Sequence, residues 1–188
     1  MGRWEPNARG RLEQAALELY SEQGFEETTV KEIAQRAGLT ERTFFRHFTD
    51  KREVLFPHSN PLQEFIVTGL VGAPESAAPI DAMAMALEAA SGLFQERQEV
   101  VRRRQAVVSA NPELQERELI KLASLASAVT DALRGRGVEE PAASLVAEAG
   151  IAVFKIAFVR WIGETDQGDF ARLVRDTFDE LKTVTAGG

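Results

Sequence analysis

Apolar residues recur along most of this chain at intervals of three and four, the spacing that keeps them on one face of an α-helix. From about Ala8 to Gln23, Leu12, Ala15, Ala16, Leu19 and Tyr20 make one such stripe, and Gly24 provides a C-terminal stop. Thr29 opens TVKE, a Ser/Thr-x-x-Glu capping box with Glu32, so a second helix starts near Val30. It turns Val30, Ile33, Ala34 and Ala37 inward and stops at Gly38. Thr40 is placed to cap a short third helix containing Phe44, Phe45 and Phe48. Thr49 and Asp50 offer caps for a fourth from Lys51 to Phe56, which Pro57 ends or kinks.

The signal weakens between Pro57 and Pro79, although Leu62 to Leu70 still reads as helical. Longer helices follow, over about Asp81–Gln98, Val100–Ser109, Pro112–Arg134, Pro141–Gly163 and Asp169–Val184. Pro112 and Pro141 sit where a first helical turn tolerates proline, and Gly135 or Gly137 can close the helix before Pro141. Neither a repeat nor an alternating strand pattern interrupts this series. The expected fold is all-α, with residues 1–56 as one domain and 57–188 as a larger helical body.

The segment TTVKEIAQRAGLTERTFFRHF carries the most chemistry. Two short helices joined by a brief turn containing glycine make a helix-turn-helix unit. Ala34 is small where the helices cross, Gly38 can adopt a left-handed turn conformation, and Ile33, Leu39 and Phe44 supply the shared apolar face. Glu41, Arg42, Thr43, Phe45, Arg46 and His47 then lie outward, where base edges or phosphates of a major groove are within reach. Lys51 follows at the next predicted helix start, a position suited to a phosphate. The same pattern also occurs in ordinary helical bundles. Here the cations and hydroxyls outside, with Phe44 and Phe48 behind, favour nucleic acid.

Charge changes the picture only when it is placed. The 188 residues hold 22 Lys and Arg against 29 Asp and Glu, a net charge of -7, which taken as a total opposes a polyanionic partner. Through Arg52, however, nine basic residues balance nine acidic ones, so the acidity lies wholly in the remainder. Between Arg36 and Arg52 cations outnumber anions five to two. With 44% hydrophobic and 27% charged residues the balance is that of a globular protein.

Other chemistries find little support. Without cysteine there is no disulfide, thiolate metal site or cysteine nucleophile, and His47 and His58 are too few for a three-histidine metal site. The chain holds no Glu-x-x-His pair and no Asp-Asp-x-x-Asp run, and Asp166 and Asp169 fall in an expected loop without companions. The reading is therefore not an enzyme, with no cofactor and no metal. Apolar runs fall short of the ~18 residues of a membrane span, and MGRWEPNARG has no hydrophobic signal core. A cytoplasmic protein without a membrane partner is expected.

The order EQGFEETTV, KEIAQRAGLTERTFFRHF, TDKREVLF behind a long first helix resembles the DNA-binding domain of the tetracycline-repressor (TetR) family of bacterial regulators. The likeness covers about Arg9 to Phe56; the rest agrees in helical layout alone. It implies a three-helix DNA-binding domain, a helical ligand-binding and dimerisation domain, and a double-stranded DNA operator released on binding a small molecule. By position, the resemblance puts Thr29, Thr43, Phe45, Arg46, His47 and Lys51 at the DNA backbone, and Glu41, Arg42 and Thr43 toward bases. Phe45 stands where the family often has tyrosine, so a hydroxyl–phosphate bond is lost and van der Waals contact remains. Arg42 suits bidentate contact with guanine, worth ~1–3 kcal/mol of discrimination. Glu41 either accepts from cytosine or acts electrostatically at the helix N-terminus. His47 either donates to phosphate or caps the helix C-terminus. Arg3, Arg9 and Arg11 either reach a minor groove or form a solvated tail.

In the body, AGIAVFKIAFVRWIG is apolar nearly all round, interrupted only by Lys155 and Arg160. Ile151, Phe154, Phe158 and Trp161 form one line and Ala152, Ile156 and Val159 another, suggesting one face for the core and one for a partner. The last helix adds Val174 and Phe178. Ile151, Phe158, Trp161, Val174 and Phe178 are thus the candidate surface of a homodimer; a wholly internal core is the alternative. Met83, Met85, Phe94, Leu122 and Phe154, with Leu87, Val107 and Leu125, either line a hydrophobic effector's cavity or are plain core. Within the run Arg102, Arg103 and Arg104, residues ~100° apart cannot all face outward. Arg104 is the candidate for an acidic group on an acyl-like effector. The competing function is a homodimeric protein-interaction module without DNA binding, which leaves the N-terminal cationic face unexplained.

Overall fold

The computed structural model describes residues 7–56, 60–94, 97–164 and 168–186. Among these it is all-helical and without strands. The elements are α1 (Ala8–Gln23), α2 (Val30–Arg36), α3 (Glu41–His47), α4 (Pro61–Gly72), α5 (Pro79–Ser91), α6 (Gln98–Ala110), α7 (Pro112–Gly135), α8 (Ala142–Gly163) and α9 (Phe170–Thr185). Two expected elements differ. Residues 51–55 form turns closed by Leu55 N–H to Arg52 and Phe56 N–H to Glu53, not a helix, because Asp50 and Glu53 bind backbone N–H groups locally. The helix expected to reach Gln98 ends at Ser91, where Gly92 leads into a turn.

The chain forms two compact units, Met1–Ser59 with Arg102–Glu118, and Asn60–Val101 with Leu119–Gly188. The first unit therefore takes in parts of α6 and α7 besides the N-terminal segment. Its core joins Leu12, Leu19, Tyr20, Phe25, Ile33, Phe44 and Phe48 to Val107, Val108 and Leu114. Val107 thus sits in this core and not beside Met83.

In the second unit α4, α5, α8 and α9 pack around Ile66, Leu70, Met83, Leu87, Phe154, Trp161, Phe170 and Phe178. Gly69 brings α4 against α5 so closely that a Cβ there would lie 3.1 Å from the Cα and Cβ of Ala86. Arg136 donates to the carbonyls of Leu70, Ala73 and Pro74, each at 2.8 Å, satisfying groups left open at the end of α4. The Trp161 indole N–H donates to the Gly168 carbonyl at 3.0 Å, so this fully buried ring leaves no donor unpaired.

α8 presents its small residues Ala143, Ala147, Gly150 and Ala157 inward, together with Ile151, Phe154 and Trp161. This corrects the expected homodimer surface. Ile151, Trp161, Val174 and Phe178 are buried in the chain's own core, and Phe158 packs against that core. The other line is the outward one, with Leu145 65%, Ile156 54% and Val159 64% exposed and Ala152 also exposed. α8 is also long and apolar enough, by length and composition, to cross a membrane, which corrects the expectation that no segment approaches that size. Its buried residues lie within the core.

Candidate nucleic-acid interface

α2 and α3 are held in place from behind. Thr29 closes the capping box: its N–H and hydroxyl donate to Glu32 Oε2 at 2.8 and 2.7 Å, and the Glu32 N–H returns to the Thr29 hydroxyl at 3.2 Å. These bonds, first from the Thr29 hydroxyl and then from its N–H, hold the Glu32 carboxyl below its ordinary pKa. Gly38 then turns the chain at φ 66°, a conformation disfavoured for residues with a Cβ. Thr40 accepts from the Thr43 N–H at 3.2 Å, and its hydroxyl lies 3.0 Å from that of Thr43. Phe44 is fully buried beneath α3, touching Phe48 with ring centres 5.4 Å apart.

With that face fixed, α3 turns Glu41, Arg42, Phe45 and Arg46 to the outside, and Thr43 and His47 are half-buried. The Phe45 ring is 56% exposed and meets Phe44 edge-on at 5.5 Å. A large apolar side chain left exposed costs solvation free energy that a partner surface would recover. His47 Nε2 lies 3.4 Å from an Arg46 guanidinium nitrogen. Partial burial, then the Arg46 and Arg9 charges, push the His47 pKa below its usual value, with Glu13 opposing.

The cationic stretch from Arg36 to Arg52 is less free than its composition suggests. Arg36 makes a two-pronged bond to Glu22 at 3.0 and 2.7 Å, pinning α2 to α1. Arg52 lies 3.7 Å from Glu113. Lys51 Nζ donates to the carbonyls of Phe25, Glu26 and Thr28 at 2.8, 3.0 and 3.1 Å and sits 4.4 Å from the centre of the Phe25 ring. Its three donors are thereby used within the protein, while its own carbonyl accepts from Tyr20 at 2.6 Å. Among the described residues, Arg42 and Arg46 are the cations of that stretch bound neither to a carboxylate nor, as Lys51 is, to backbone carbonyls. Sequence reasoning missed the anchoring pair Tyr20 and Lys51, whose separation of 31 positions leaves no local signal. Arg9 lies on the first unit itself, 5.1 Å from the Phe48 ring centre and 2.9 Å from Glu13, and the Arg11 guanidinium donates to the Ala37 carbonyl. Arg3, His58 and Asp166 lie outside the described residues.

The expected effector set separates. Met83, Phe94, Leu122 and Phe154 share the second unit's core region, where Phe94 meets Phe154, Phe158, Trp161 and Phe170 at 5.7 to 6.4 Å between ring centres. Met85 is 49% exposed and does not join them. Arg104 belongs to the first unit, donating to Glu118 at 2.9 Å and the Leu55 carbonyl at 3.2 Å and lying over the Phe56 ring. Its guanidinium thus already has a carboxylate partner within that unit. Among the described residues, no cluster of His, Cys, Asp or Glu could hold a metal ion.

Comparison with known proteins gives this geometry a family. Residues 13–56 match the tetR family of bacterial regulatory proteins, and residues 77–186 match the MftR C-terminal domain. Over 84 residues the chain is 39% identical to the HTH-type transcriptional regulator TcmR of Streptomyces glaucescens, covering 45% of this chain and 37% of that protein. The match thus spans little more than a third of that relative. Among solved structures, the SmeT–triclosan complex is similar with a TM-score of 0.65 and 20% identity, covering 94% of this chain and 90% of that one. The transcriptional regulator FadR of Bacillus subtilis in complex with stearoyl-CoA has a TM-score of 0.58 and 18% identity, covering 92% and 96%. At such identities these two establish the fold. With an N-terminal helix-turn-helix matched in order and a C-terminal helical domain matched over most of its length, the chain belongs to the TetR family of transcriptional regulators.

Proposed function

We propose that this regulator is a repressor that binds a palindromic operator as a homodimer and leaves it on binding a hydrophobic small molecule. The observation that carries the DNA reading is the outward face of α3, where Arg42, Arg46 and the exposed Phe45 stand over a rigidly buried Phe44. Arg42 acts as the base-reading residue and Arg46 as a phosphate contact. Phe45 packs on the sugar–phosphate edge. Glu41 and Thr43 flank the bases at the helix N-terminus, and His47 supplements Arg46 at phosphate. Thr29 presents the α2 N-terminus, its hydroxyl already engaged by Glu32. Lys51 acts indirectly, holding the carbonyls of the loop between α1 and α2.

The effector reading rests on the aromatic assembly around Phe94, Phe154, Phe158, Trp161 and Phe170, joined by Met83 and Leu122. Two proteins of similar fold are described with triclosan and with stearoyl-CoA, the first an apolar compound and the second carrying a long apolar acyl chain. An effector releases DNA only through its differential affinity for the bound and free conformations. Working on chromosomal DNA, the protein would act in the cytoplasm and carry out no catalysis.

Selection of bound fragments from the source genome tests the reading. Recovery of palindromic sites, released by apolar compounds that also raise the melting temperature, is the expected result. No enrichment over random fragments would leave a helical protein-interaction module in its place.

A further inference from the structure

We propose that Arg11 is a positioning residue of the reading head: its guanidinium reaches from α1 over Gly38, caps the end of α2 at the Ala37 carbonyl and thereby fixes the turn that aims α3. This rests on the DNA reading above and goes further by giving Arg11 a role that is neither groove contact nor solvated tail.

α2 has seven residues, too few to hold a helix in water unaided, so its ends are fastened by other groups. The Thr29–Glu32 box secures the N-terminus. The C-terminus is closed first by backbone: the Gly38 N–H donates to the Gln35 carbonyl at 3.0 Å and the Leu39 N–H to the Ala34 carbonyl at 2.8 Å. That pair of bonds, with Gly38 at φ 66°, is a Schellman motif. The Ala37 carbonyl takes no part in it, and Arg11 supplies that carbonyl with a donor. The negative end of the helix dipole favours a cation at the same place.

Space and direction agree. A Cβ on Gly38 would lie 2.8 Å from an Arg11 guanidinium nitrogen, so the glycine serves both as left-handed turn and as the notch the guanidinium occupies. Arg36, the last residue of α2, runs the other way to Glu22 near the end of α1. Arg11 and Glu22 are eleven positions apart on α1, about 16 Å along its axis. The last turn of α2 is thus held from two separated points on α1. Thr40 caps α3 three residues after Ala37, so little chain lies between this clamp and the reading helix. Without the clamp α3 can tilt. Base contacts need fixed geometry and suffer from tilt more than phosphate contacts do.

Full-length wild type, Arg11→Met and Arg11→Lys are compared by fluorescence anisotropy on a selected operator duplex and a scrambled duplex, across a salt series, with active fractions fixed by stoichiometric titration. Arg11→Met keeps the aliphatic stem and loses the donors. It should weaken operator binding about three- to tenfold and leave the scrambled duplex and the salt slope unchanged. Arg11→Lys, which restores a cationic donor, should recover most of the loss. Gly38→Ala should also weaken operator binding, and combining it with Arg11→Met should cost less than the sum, because the alanine already displaces the guanidinium. A lower melting temperature or active fraction with an unchanged operator-to-scrambled ratio would mean a merely structural role and overturn the proposal. Equal weakening on both duplexes, with a salt slope shallower by about one, would mean a phosphate contact and overturn it too. A discriminating wild type unaffected by Arg11→Met would overturn this proposal and leave the DNA reading standing. A wild type that binds both duplexes alike would overturn both.

Discussion

Lys51 and Arg42 show how two cations near one helix take different work. Lys51 is committed to three carbonyls, so Lys51→Ala should cost stability, by about 1–3 kcal/mol for the charge-assisted bonds lost. Denaturant melts should show that loss, and the salt slope of DNA binding should change little. His47 supplies a pH test. Its pKa lies below the usual 6.5 in the free protein, chiefly through burial. Phosphate alongside would raise it, so the DNA-bound state holds more protons. Affinity should therefore rise as pH falls from neutrality toward and below that value, and His47→Gln should flatten the rise. For folding the sign is opposite: the depressed pKa makes stability decline as pH falls through the same range. The sequence could place Lys51 near the interface by its position. It could not reveal carbonyls more than twenty residues away, because such contacts leave no periodic trace.

At the level of elements, local chemistry made α1, α2 and α3 legible. The Thr29–Glu32 box, the Thr40 cap and Gly38 all act within a few residues of the backbone groups they satisfy. The expected helix at 51–56 is replaced by turns at 51–55 because Thr49 and Asp50, which look like helix caps, instead bond locally, Asp50 to the N–H groups of Arg52 and Glu53 and Thr49 to the Glu53 carboxylate. In α8, periodicity revealed two apolar faces but not which was internal. The deciding signal is size: Ala143, Ala147, Gly150 and Ala157 share one side, and small residues allow close approach to neighbouring helices. The same principle at the α4–α5 crossing gives a prediction. Gly69→Leu should destabilise the protein by about 1–3 kcal/mol, since Ala86 backbone atoms block the space, and a lowered urea midpoint would register it. An unchanged midpoint would mean that the helices sit farther apart than described.

For the whole molecule, an acidic chain binds DNA because its charge is unevenly placed. The net -7 arises beyond residue 52, while α3 carries exposed Arg42 and Arg46, neither bound to a carboxylate among the described residues. Phosphate contacts give affinity that falls with salt, and base contacts choose the site. The central claim is that α3 reads DNA through Arg42. Fluorescence anisotropy should be recorded with a selected operator duplex and a scrambled duplex, for wild type and Arg42→Ala. The expected result is that Arg42→Ala weakens operator binding by about 1–3 kcal/mol and barely changes binding to the scrambled duplex. Equal affinities of Arg42→Ala and wild type for the operator would contradict the assigned reading face.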